Sequence, residues 1–153
     1  MKPFNNMTIL RDGSGQITGE LAEIKFSEIL IVNGISFTWV GKEKGHHDFA
    51  ISMGNEIVKI DVKCKKRNVK VLPEFDAHVN LYQKGYDCRI YVFSSLTGKN
   101  LEFMGWCGKN EFWESCIMVK KGDIDSVGFV EKLDSGKLAY NKLRSMESLF
   151  LFK

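Results

Sequence analysis

Two segments that alternate apolar and polar residues, Asp48-Phe49-Ala50-Ile51-Ser52-Met53 and Glu56-Ile57-Val58-Lys59-Ile60-Asp61-Val62-Lys63, are separated only by Gly54-Asn55. Glycine and asparagine accept the positive φ that tight turns between twisted strands need, so this spacing predicts a two-residue hairpin. Pairing Met53 with Glu56 sets Ser52 opposite Ile57, Ala50 opposite Lys59, and Asp48 opposite Asp61. Phe49, Ile51, Met53, Val58, Ile60 and Val62 then share one apolar face, and a slip of one residue would turn that whole face to water. The other face carries Asp48, Asp61 and, two positions on, Lys63.

Directly opposed residues have Cβ atoms about 4.5–5.5 Å apart, so two carboxylates placed there repel unless a proton or a cation lies between them. One or two carboxylates together with phosphate oxygens is the usual setting for Mg2+. A neighbouring lysine suits a reaction that builds negative charge on phosphate.

Asp48, a spacer of twelve residues, then Asp61-Val62-Lys63 resembles the core of the PD-(D/E)xK nuclease superfamily. His47 stands where that pattern has proline, and Asp61 where glutamate is commoner. Upstream, Gly19-Glu20-Leu21-Ala22-Glu23 opens a helix and is similar to the G-x-x-x-E start of the Holliday-junction resolvases of archaea and phages. The resemblance spans roughly residues 17–95. It implies an α/β, restriction-endonuclease-like core: a central mixed β-sheet flanked by helices in the order α-β-β-β-α-β, with C-terminal additions. It also implies Mg2+, replaceable by Mn2+, held by Asp48, Asp61, the main-chain carbonyl of Val62 and Glu23, with Glu20 as the alternative to Glu23. Lys63 would orient water and stabilise developing charge. The implied activity is a metal-dependent endodeoxyribonuclease acting on branched DNA, as a homodimer because symmetric cleavage of a junction needs two sites. A duplex-cutting restriction or repair endonuclease of the same superfamily, and a nucleic-acid-binding module without catalysis, are the alternatives. No small-molecule cofactor is expected.

A chain of 153 residues with 44% hydrophobic content is expected to form one domain, residues 1–153, around a core of its own. No apolar run reaches the length of a membrane span and no signal-peptide core follows Met1, so a cytoplasmic protein without membrane contact is expected. Cys64, Cys88, Cys107 and Cys116 form no C-x-x-C pair and read as reduced thiols. The net charge of +3 is small, yet Lys63, Lys65, Lys66, Arg67 and Lys70 crowd into eight residues. Such a run is ordinarily a solvated loop. Beside a candidate phosphodiester site, Lys65, Lys66, Arg67 and Lys70 are expected to contact the DNA backbone. His46 falls opposite Lys63 and is expected to reach the same substrate; His46 and His47 are otherwise plain polar residues at a strand entry.

Around this hairpin, Thr18 is expected to cap a helix whose Ala22, Phe26, Ile29 and Leu30 pack on the sheet, ending at Asn33-Gly34. A strand is expected over Ile35–Val40. After a basic loop to Pro73, a helix over Phe75–Lys84 would carry His78 and Gln83 as supports of the site, and would cross over to a strand at Cys88–Phe93 lying parallel to the hairpin. Leu101–Trp106 and Cys116–Val119 read as further strands, and Lys137–Leu149 as a terminal helix. The aromatic stretch Phe103, Trp106, Phe112 and Trp113 is expected to pack internally or to form a subunit contact.

Overall fold

The computed structural model describes residues 7–8, 16–40, 47–125 and 128–151. Expectations for His46, for the loop 41–45 and for the turn 11–15 lie outside the described residues. In chain order the elements are β1 (Met7–Thr8), α1 (Gln16–Val32), β2 (Phe37–Trp39), β3 (Phe49–Met53), β4 (Glu56–Arg67), β5 (Asp76–Asn80), β6 (Ile90–Thr97), β7 (Asn100–Gly108), α2 (Lys109–Ser115), β8 (Ile117–Val119), β9 (Ser135–Ala139) and α3 (Met146–Leu149). Six strands form a central sheet in the order β1-β7-β6-β4-β3-β2, and three form a second sheet in the order β5-β9-β8. The central sheet is mixed: β4 and β6 run parallel, and its other neighbours are antiparallel.

The hairpin forms in the expected register, with Met53 opposite Glu56, Ala50 opposite Lys59 and Phe49 opposite Ile60. Gly54 supplies the positive φ, 63°, that the turn requires. The apolar side of the hairpin meets α1: Phe49, Ile51, Val58, Ile60 and Val62 bury against Ala22, Phe26, Ile29 and Leu30. α1 stops where expected. The Asn33 side chain donates to the Ile29 carbonyl (2.7 Å), Gly34 turns to φ 67°, and the Ile35 N–H returns to the Leu30 carbonyl (3.0 Å). Its start differs. The helix already includes Gln16, so Thr18 lies inside the first turn, buried, and its hydroxyl has no hydrogen-bond partner among the described residues instead of capping the helix.

The opposite side of the sheet is covered by the second sheet and α2, where Tyr91 and Phe93 of β6 meet Ala77, Val79, Phe112, Leu138 and Tyr140. Two expected helices are absent from this layer. Over Phe75–Lys84 the chain forms β5 and a short 3-10 turn, Leu81–Gln83. Ala77 and Val79 are buried while His78 and Asn80 are half-buried, a period of two that only a strand serves, and pairing with β9 satisfies the backbone. The crossover between the parallel strands is therefore built from sheet rather than helix, and the fifth element of the α-β-β-β-α-β order departs from expectation. Over Lys137–Leu149 the chain continues β9, makes a second 3-10 turn at Tyr140–Lys142, and is α-helical only at Met146–Leu149. The expected basic loop is strand as far as Arg67, where β4 ends, paired residue for residue with β6 from Ile60–Ile90 to Arg67–Thr97.

Phe103, Trp106 and Phe112 are core residues, which bears out the packing reading of the aromatic stretch. No described helix is long and apolar enough to cross a membrane.

Between β6 and β7 the register shifts at Phe93–Ser94, leaving Met104 as the extra residue of a bulge beside Gly105. Gly105 has φ 146°, and a Cβ there would sit 2.5 Å from the Arg144 carbonyl oxygen and 2.8 Å from Leu143 Cβ. Strain and collision act together. Gly105→Ala is expected to destabilise the protein by about 3 kcal/mol or more in urea denaturation, since neither backbone can retreat without breaking the Trp106–Arg144 bridge.

Candidate active site

The hairpin ladder ends one pair short of the acids. The Asp48 N–H donates to the Ile60 carbonyl (2.9 Å) and the Asp48 carbonyl accepts from the Val40 N–H (2.9 Å), so β3 has already begun to leave β4. Asp48 is not a ladder partner of Asp61, a correction to the direct opposition expected from counting. The gap it opens is filled by its own side chain: Asp48 Oδ2 accepts the Val62 N–H at 2.8 Å. Val62 thus enters the site through its N–H, while its side chain stays in the helix-side core.

Asp61 is buried and pairs with Lys63 Nζ at 3.0 Å. Lys63 Nζ also donates to Gln83 Oε1 (2.9 Å) and lies 5.8 Å from the centre of the Tyr91 ring. These contacts hold the ammonium over the polar side of the sheet. Gln83 reaches it from the 3-10 turn after β5, so the expected supporting residue is in place although the expected helix is not. Glu23, from the middle of α1, is buried and accepts the Trp39 indole N–H at 2.9 Å. Trp39 in turn stacks on Phe49 with ring centres 5.7 Å apart and planes 13° from parallel.

Burial, then the charges of Asp61 and Glu23, push the Asp48 carboxyl up to about 8, against the opposing pull of the Val62 N–H and Lys63. Helix and hairpin acids therefore share one electrostatic environment, and the charge of Glu23 reaches Asp48. Glu20, one turn earlier, is half-buried. Each of the three acids has its own donor, respectively Trp39, the Val62 N–H and Lys63. Among the described residues, no three His, Cys, Asp or Glu side chains already form a metal-holding group. As a donor set the acids nevertheless fit a hard divalent cation: they supply carboxylate oxygen, and a cation would offset both the burial and the repulsion that keep a proton on Asp48.

The basic run divides. Strand alternation sends Lys63, Lys65 and Arg67 to one side and Lys66 to the other, with Lys66 and Lys70 exposed. Arg67 is not a free backbone contact, contrary to expectation. Its guanidinium and Nε bond Ser95 Oγ (3.2 Å), the Asp76 carbonyl (3.1 Å) and Tyr140 Oη (2.9 Å), and it lies 4.9 and 5.3 Å from the Phe75 and Tyr140 ring centres. It ties the two sheets together. His78 lies on β5, its Nε2 2.6 Å from Ser135 Oγ and 3.7 Å from Glu131 Oε2. The cysteines are all free. Burial raises the thiols, to about 11 for Cys64 and about 12 for Cys88 and Cys107, which removes them as nucleophiles. Trp39 is the partner that the sequence reading missed; its place on the strand beside the hairpin is the signal that was present.

No protein-family model matches the chain, and no curated protein matches it in sequence.

A carboxyl raised in the fold binds its proton more tightly than in the unfolded chain between about pH 4 and pH 8, so its contribution to stability falls as pH rises through that window. Asp48→Asn removes this fall. In urea denaturation with EDTA, the variant is expected to gain about 5 kcal/mol on the wild type between pH 4 and pH 8.5. A difference that does not change with pH would show that Asp48 does not carry a shifted proton.

Proposed function

We propose that the protein is a Mg2+-dependent endonuclease of the PD-(D/E)xK type, with a restriction-endonuclease-like core, hydrolysing phosphodiester bonds in branched DNA as a homodimer. The observation that carries this reading is the convergence of Glu23 from α1, Asp48 from the start of β3, and Asp61 with Lys63 from β4, with Asp48 raised first by burial and then by the charges of the other two acids. The order α1, β2, β3, β4 followed by a parallel β6 supports it; the strand in the crossover is a departure from the family pattern.

In this reading the residues divide the work. Asp48 and Asp61, with Glu23 and the Val62 carbonyl beside them, are the groups that would hold Mg2+, whose chemistry there is to neutralise phosphate charge and make water a better nucleophile. Lys63 faces the phosphate and offsets the charge that builds on it, while Gln83 and Asp61 fix the ammonium so that it needs no reorientation as the charge grows. The Val62 N–H sets the direction of Asp48. Trp39 performs the same service for Glu23.

Labelled four-way junction, duplex and single-stranded DNA incubated with the protein in Mg2+ and in EDTA test the reading. Cleavage of the junction in Mg2+ alone is expected. Asp61→Asn and Lys63→Ala should each lose about 1000-fold or more of that activity while melting and binding junction in EDTA much as the wild type does. Gln83→Ala, which only positions Lys63, should lose about 10–100-fold. Binding without metal-dependent cutting on any substrate would replace the nuclease with a nucleic-acid-binding module.

A further inference from the structure

Lys63 also forms the rim of a second feature. On the side of the sheet away from α1, a pocket of about 200 Å3 opens between the central and second sheets, lined by Lys63, Lys65, His78, Asn80, Gln83 and Tyr140. Its walls are β4 on one side and β5 with the following turn on the other. The strand that replaces the expected crossover helix therefore builds the pocket.

The pocket carries two ammonium groups, of which Lys63 is paired with Asp61 and Lys65 is not. Lys65 is half-buried, with its ammonium 5.3 Å from the Phe129 ring centre. Among the described residues no carboxylate lies within ion-pair distance of it. Glu131, the buried acid of this region, is paired with Lys137 and lies 3.7 Å from His78. Burial, then Arg67 and Lys137, hold the Lys65 ammonium below its usual range, with Glu131 and Asp125 acting weakly the other way. His78 is driven down to about 4 by burial and by Lys65, Lys137 and Arg67, against Glu131. The Asn80 amide also lines the pocket, and it caps none of the N–H groups of the 3-10 turn that follows.

Lys63 and Lys65 share a face of β4 and are separated along it by about 6.6 Å, two strand residues. That is close to the distance between successive phosphates of an extended nucleic-acid strand. We propose that this pocket is an anion subsite for the DNA phosphate next to the scissile one on the same strand, with Lys65 supplying the charge and the Asn80 amide a hydrogen bond. Arg67, two residues further along the same face, is tied to Tyr140 and Asp76 and so offers no free charge for a further phosphate. The inference rests on the reading of Lys63 as the group facing the scissile phosphate, but its test needs no cleavage.

The probes are thymidine dinucleotide with and without a 5′-phosphate, which carry two phosphates one repeat apart and one phosphate. Calorimetry at low salt in EDTA is expected to show the wild type binding the 5′-phosphorylated compound about tenfold tighter. Lys65→Gln keeps a long stem against Phe129 and should bring the two compounds to near parity. Lys65→Arg should restore most of the gap, and Asn80→Ala should narrow it about threefold. With a longer single strand, Lys65→Gln should flatten the salt dependence by about 0.7 in log–log slope. A wild type that does not distinguish the dinucleotides, or a Lys65→Gln variant of unchanged melting temperature that keeps the tenfold gap, overturns the subsite. Junction cleavage in Mg2+ judges the role of Lys63 separately, so a missing gap with intact cleavage removes the pocket alone.

Discussion

The two-sidedness of β4 governs the rest of the structure. Its even-numbered residues, Val58, Ile60 and Val62, are spent on the core under α1, while Asp61, Lys63, Lys65 and Arg67 project to the other side. A strand buried on both faces normally reads as a continuous apolar run. Here one face is charged at four successive outward positions, and the second sheet covers that face without expelling the charge.

Burying like charges is unfavourable, and the fold deals with each separately. Asp61 sits beside Lys63, Glu23 accepts from an indole, and Asp48 turns off its strand to take a main-chain N–H. Asp48 bears the cost of its burial and of the remaining repulsion, expressed as a proton held to about pH 8. Further along β4 the sign reverses, and the crowding is among Lys65, Arg67 and Lys137. An acidic end and a basic end on one strand face suit a ligand that brings both a cation and a polyanion.

The hairpin was legible because its turn, alternation and apolar face all specify one register, and no competing register buries the same residues. The acids followed from the same count, save for the last step, where Asp48 departs from the ladder through a bond to Val62 that no local pattern announces. Glu23 was legible only by resemblance, since a helical glutamate carries no mark of what it touches. At Ala77-His78-Val79-Asn80 the alternation was present but brief, and a helical reading took in its flanks. β5 exists because β9 pairs with it, and that partner lies more than fifty residues away. The same distance hid the fate of Arg67: its charge was visible, but not the Tyr140 hydroxyl and ring that hold it.

That clamp has a mechanical consequence. Arg67 of the central sheet bonds Asp76 of the second sheet and Tyr140 just after β9, so shear between the two layers must break both bonds and both ring contacts together, while its bond to Ser95 within the central sheet steadies the guanidinium. Gln83 follows β5 directly, and through it the ammonium of Lys63 is coupled to the same joint. The outer layer therefore acts as a brace for the lysine, and trimming the C-terminal strands would loosen a residue far upstream that never touches them.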